Sequence, residues 1–186
     1  MKHLLLFEDL ESDFLARLEE LPQSKYNLKY QCTKFLNELP TQELKSEFMY
    51  RVGDGEDVVK LFRDMLDRKE LSQKQTTFYP YRIIVLDYEL NNLKSENERE
   101  IKVGMDLLEH AILGQEKLKE VVDQLNYHIE ESEIDPTDVK EILNGTINFL
   151  KNMDSLYDWA YGETSSANVK KIRAAKDILS SLKSFE

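Results

Sequence analysis

Three acidic side chains of this 186-residue chain stand where an apolar run stops. Glu8 and Asp9 follow Leu4, Leu5, Leu6 and Phe7, and Asp87 follows Ile83, Ile84, Val85 and Leu86. If the two runs are neighbouring parallel strands, their carboxyl ends face one crevice and all three carboxylates share it. Such a group repels itself unless protons or a hard divalent cation compensate, and an all-oxygen set suits Mg2+ with several retained waters. The matching chemistry is metal-assisted phosphoryl transfer to one of the carboxylates. A plainer reading makes Glu8 and Asp9 an acidic pair at a helix N-terminus, favoured by the dipole, and Asp87 a loop cap.

Other reactive residue types are sparse. His3, His110 and His128 follow no ligand spacing, and Cys32 stands alone, so there is neither an intramolecular disulfide nor a cysteine cluster for zinc. That cysteine usage suits a reducing cytoplasm. His110-Ala111-Ile112-Leu113-Gly114 faintly resembles a histidine phosphotransfer helix, but Leu113 stands where a lysine is wanted, and a histidine at a helix end accounts for it. Tyr79, Tyr81, Tyr88, Trp159 and Tyr161 read as packing residues.

The elements that must position the acids come from periodicity. Lys2 to Phe7 reads as a strand, followed by a helix from Glu11 to Leu21 with Phe14, Leu15, Leu18 and Leu21 in helical spacing. A second strand starts near Phe48. Gly53 and Gly55 then punctuate the chain before a helix that carries Val58, Val59, Leu61, Phe62, Met65 and Leu66 on one face. Tyr81 to Leu86 reads as a strand buried on both faces, and Val103 to Leu113 as a helix. Alternating strands and helices imply right-handed crossovers and a short parallel sheet, an α/β domain over residues 1–113. Two insertions interrupt it: Gln23 to Glu47, long enough for a helix or a hairpin, and the polar stretch Asp67 to Thr77.

Residues 114–186 read as a helical extension of three helices: Gln115 to Glu131, Asp135 to Tyr161, and Ser166 to Phe185. Asp135-Pro136 is an N-cap followed by proline at the first helical position, and Thr164 to Ser166 supply a further cap. In the last helix Val169, Ile172, Ala175, Ile178, Leu179 and Leu182 are expected to dock on the rest of the chain or on a partner. Lys170, Lys171, Arg173 and Lys176 then face acidic segments or solvent. A sheet of three strands would leave Tyr81 to Leu86 as an open apolar edge, to be covered by helices or by a second chain.

The formal charge of −11 and pI near 4.9 argue against gripping nucleic acid or an anionic membrane. The charge is uneven: residues 1–113 hold 22 acids and 16 bases, residues 114–164 hold 12 and 4, and residues 165–186 hold 2 and 5. The N-terminal apolar run is too short for a signal peptide or a membrane span, so the expected location is the cytoplasm.

Four motifs in order, Leu4-Leu5-Leu6-Phe7-Glu8-Asp9, Gly53-Asp54-Gly55, Ile83-Ile84-Val85-Leu86-Asp87 and Gly104-Met105-Asp106, resemble the receiver domains of bacterial response regulators over residues 1–113. The resemblance implies a flavodoxin-like sheet. It also makes Glu8 and Asp9 the acidic metal-binding pair and Asp87 the phosphate-accepting aspartate and third ligand, with Mg2+ as cofactor and a histidine kinase as phosphoryl donor. The chain departs from that family after Leu113, where strands ending in Ser or Thr and in Lys have no counterpart. Thr164 to Ser166 precede Lys170 and Lys171 too closely for a crossover between them. The expected function is therefore a truncated receiver-like regulatory module acting through a protein partner, a kinase or a complex subunit, or a second copy of itself, with Asp87 phosphorylation as control. The alternative is a non-phosphorylated structural adaptor or subunit using its helical C-terminal half; a metal-dependent phosphate hydrolase stands behind both.

Overall fold

The protein is described from a computed structural model, which covers residues 2–72, 75–162 and 168–183. Among these residues the chain is helical and holds no strand. The helices are α1 (Lys2–Glu20), α2 (Leu28–Glu38), α3 (Gln42–Gly53), α4 (Val58–Leu66), α5 (Lys69–Ser72), α6 (Gln75–Glu96), α7 (Glu98–Ile112), α8 (Gln115–Glu130), α9 (Pro136–Tyr161) and α10 (Val169–Ser181).

The expected α/β, flavodoxin-like sheet is thus overturned, and each expected strand lies inside a helix. Lys2 to Phe7 begins α1, Phe48 to Val52 belongs to α3, and Tyr81 to Leu86 lies in the middle of α6. The last case shows why. Tyr81, Ile84, Val85 and Leu86 are all buried, and so is Arg82. A segment that is apolar around its whole circumference suits a buried helix as well as a buried strand. Extended back to Phe78, the buried set Phe78, Tyr81, Arg82 and Val85 has the i, i+3, i+4, i+7 spacing of one helical face. Pro80 falls inside α6, but it and Thr76, whose carbonyl loses its usual donor, are both exposed, so water can serve that oxygen. The open sheet edge expected at Tyr81 to Leu86 does not arise, because a helix pairs its backbone within itself.

The chain divides into two compact units, Met1–Tyr88 and Glu89–Glu186, and α6 contributes to both. The sequence places its boundary at 113 instead; α7 packs on α8, α9 and α10, which puts it with the second unit.

In the first unit α1 runs against α3, close enough that a Cβ on Gly53 would come within 3.1 Å of Asp13 Cβ. The core is aromatic. The Phe35 ring lies 4.9 Å from Phe48, 4.9 Å from Phe62, 5.6 Å from Phe78 and 4.9 Å from Tyr81, centroid to centroid. All six apolar residues expected on one face of α4 are buried. Asp57 caps that helix, accepting from the Lys60 N–H at 3.0 Å, and Thr41 caps α3 through the Leu44 N–H at 3.2 Å. The insertion left open between helix and hairpin is helical, forming α2 and the start of α3.

In the second unit α7 and α10 each touch the other helices of the group. The core holds Leu108, Ile129, Leu143, Leu150, Ala175 and Ile178, all nearly inaccessible. The helices expected near 115–131 and 135–161 are α8 and α9. Asp135 caps α9, accepting from the Thr137 N–H at 2.8 Å, with Pro136 at its first position and Gly162 ending it at φ 73°. The third is α10; the cap expected from Thr164 to Ser166 and the helix end at Phe185 lie outside the described residues. Among the described residues no helix is long and apolar enough to cross a membrane.

Candidate functional site

The acids singled out by the sequence occupy two different helices. Glu8 and Asp9 lie on α1, where Asp9 is exposed; the side chain of Glu8 is outside the described residues. Asp87 lies on α6, half-buried. The Tyr26 hydroxyl donates to its Oδ2, and Lys25 Nζ sits 2.5 Å from the same oxygen. Asp87 therefore ties the loop before α2 to α6. Among the described residues the sheet whose strand ends were to gather Glu8, Asp9 and Asp87 is absent. Among the described residues no group of three or more His, Cys, Asp or Glu side chains could hold a metal ion.

Several other titratable groups are engaged structurally. Cys32 is fully buried, and burial pushes its thiol up to about 12, so it stays protonated. Arg82 donates through Nη2 to the Leu66 carbonyl at 3.2 Å, where α4 ends and its last carbonyls lack intrahelical donors. Arg51 joins Glu56 and Asp64, each at 2.6 Å, and Arg68 grips Glu47 with both guanidinium arms. His110 is exposed in the last turn of α7, and His128 Nδ1 lies 2.5 Å from Glu133 Oε2.

A surface that could bind another molecule is built where α7, α8 and α10 meet. Gly114, at φ 137°, turns the chain from α7 into α8, and this sharp corner leaves Leu113 at the tip with 74% of its surface exposed. No other large apolar side chain among the described residues is as exposed. On α10 and its C-cap, the face carrying Ala175, Ile178 and Leu182 of the expected set is buried against its neighbours, together with Ala174, while Ile172 and Leu179 are half-buried and Val169 is exposed. Docking that face turns Lys170, Arg173 and Lys176 outward.

Two hollows adjoin at this corner and share Ile112. One, of about 550 Å3, is lined by Ala111, Ile112, Leu118 and Ala174 with Lys170, Arg173 and Asp177 around them. The other, of about 490 Å3, has Ile112 and Leu113 with Asp106, Glu109, His110 and Lys171. An apolar centre with an arginine-bearing, mixed-charge rim is the layout of a protein-binding patch. The basic face of α10 is legible in the sequence, whereas Leu113-Gly114 reads there as a domain boundary and as part of a faint phosphotransfer-like motif, not as a binding surface. The overlooked signal was a leucine immediately before a helix-ending glycine.

No family model, curated protein or solved structure matches the chain.

Proposed function

We propose that this chain is a helical interaction module that binds a protein partner at the α7–α8–α10 corner. The observation that carries the reading is Leu113, 74% exposed and lining one of two hollows that share Ile112. An exposed leucine beside a partly apolar groove stabilises a complex by leaving water on binding, and the rim charges set orientation. This is the adaptor alternative of the sequence reading, relocated from the whole C-terminal half to one corner of it. The receiver-like alternative required a parallel sheet, and its acceptor Asp87 is engaged by Tyr26 and Lys25.

The test compares affinity capture from the source cells by the natural chain, by Leu113→Asp and by Asn144→Asp, an exposed α9 control. The expected result is a partner retained by the natural chain and the control but lost with Leu113→Asp, and a purified pair whose Kd that substitution weakens at least about tenfold. Identical captured sets from all three chains would refute the reading.

A further inference from the structure

A third hollow lies on the seam between α7 and α9 and is independent of the corner. At one point these helices are almost in backbone contact: a Cβ on Gly104 would overlap the Thr146 hydroxyl and stand 3.0 Å from Thr146 Cβ. Beyond that contact the seam opens into a cavity of about 370 Å3, floored by the buried Phe149 and walled by Ile101, Met105 and Met153. Lys94, Glu98 and Lys102 complete the lining, and no α10 residue takes part. The volume falls within the range of small-ligand sites, which are mostly apolar with a few polar groups at fixed places. Two methionine side chains allow the walls to follow a flexible chain.

The rim chooses the sign of the ligand. Lys94 and Lys102 are exposed, and neither is in an ion pair among the described residues, although Glu98 stands four positions from each. On a chain of net charge −11, two unpaired ammonium groups against the single carboxylate of Glu98 leave this lining locally positive and favour an anion. Their methylene stems can cover the hydrocarbon while the charged ends stay in water.

We propose that this hollow binds a single-chain amphipathic anion, its alkyl chain over Met105, Phe149 and Met153 and its carboxylate between Lys94 and Lys102. The test is calorimetric titration of the full chain with hexanoate, octanoate and decanoate below their micelle concentrations, with decyltrimethylammonium as the cationic counterpart. The expected result is one site per chain, Kd tightening up to about fourfold for each added methylene, and decanoate at least about tenfold tighter than the cation. Lys94→Glu combined with Lys102→Glu should weaken decanoate at least about tenfold while leaving the helical circular dichroism unchanged, and Met153→Glu should abolish binding. No saturable binding, equal binding of cation and anion, or a double variant that binds normally would overturn the proposal. So would co-sedimentation with phosphatidylglycerol vesicles in the absence of any binding to monomeric decanoate, which would identify an anionic bilayer surface as the ligand. A silent Leu113→Asp variant leaves this result untouched, because the two surfaces share no residue.

Discussion

Gly104 is the residue on which the α7–α9 packing turns, since the space where its side chain would be is occupied by Thr146. Gly104→Ala gains helix propensity of about 1 kcal/mol, but overpacking commonly costs 1–3, roughly, and here the obstacle is a buried side chain held in place by its own hydrogen bond to the Ile142 carbonyl at 2.8 Å. A net loss of up to about 2 kcal/mol in denaturant unfolding is expected. Thr146→Ala in the same chain should recover part of it and Thr146→Ser none; equal, additive losses would show that the two residues do not meet. Glu47 supplies a second prediction at this scale. Its carboxyl is held below the usual range first by the hydrogen bond from Arg68, with Arg51 adding to it. A carboxyl with a folded-state pKa below its unfolded one contributes stability that is fully present above the unfolded value. That contribution is lost as pH falls through the folded value, because the unfolded chain then binds more protons. Urea midpoints measured at pH 7 and pH 3 should therefore move less in Glu47→Gln than in the natural chain. A third of the Glu47 side chain is exposed, so the difference is expected to be modest.

Among the elements, α9 is the one whose limits are written into its sequence. Asp135 accepts the Thr137 N–H, Pro136 needs no partner for a missing N–H, and Gly162 takes the left-handed conformation at the far end. Asp135→Ala should cost about 1 kcal/mol in unfolding free energy and Asp135→Asn much less, because an amide oxygen still caps. Equal losses would place the effect in charge rather than capping. The close of α10 depends instead on a distant residue: Asn126 of α8 donates to the Ser181 carbonyl at 3.1 Å and accepts the Lys183 N–H at 2.8 Å. Spacing within α10 foretells its buried face, but not that its last turn is finished by a side chain 55 positions earlier.

For the whole molecule, helix in place of sheet changes what the backbone of Ile83 to Leu86 requires. In an edge strand these amides need another segment or another chain; in α6 each bonds one turn back along the same segment. Hydrogen exchange on a dilute, monomeric sample should find them protected, and fast exchange relieved only by concentration would restore the edge-strand reading. Residues 58–66, 115–130 and 136–161 are legible as helices because their apolar residues recur at helical spacing, helped at 136–161 by a recognisable cap. Burial of Tyr81 to Leu86 is equally legible. Its conformation is not, since an apolar run broken only by Arg82 satisfies a period of two and a period of 3.6 alike, and only the neighbours available to cover all sides choose between them. The same holds for Asp87. The sequence marks an acid at the end of an apolar run, whereas the fold brings Tyr26 to it from 61 positions away and makes it a tether. What the sequence alone determined is the local part, helix ends, apolar faces and charge balance, because these depend on residues a turn or two apart. The tertiary structure decided which runs are helices and which acids have partners, because both depend on contacts between residues remote along the chain.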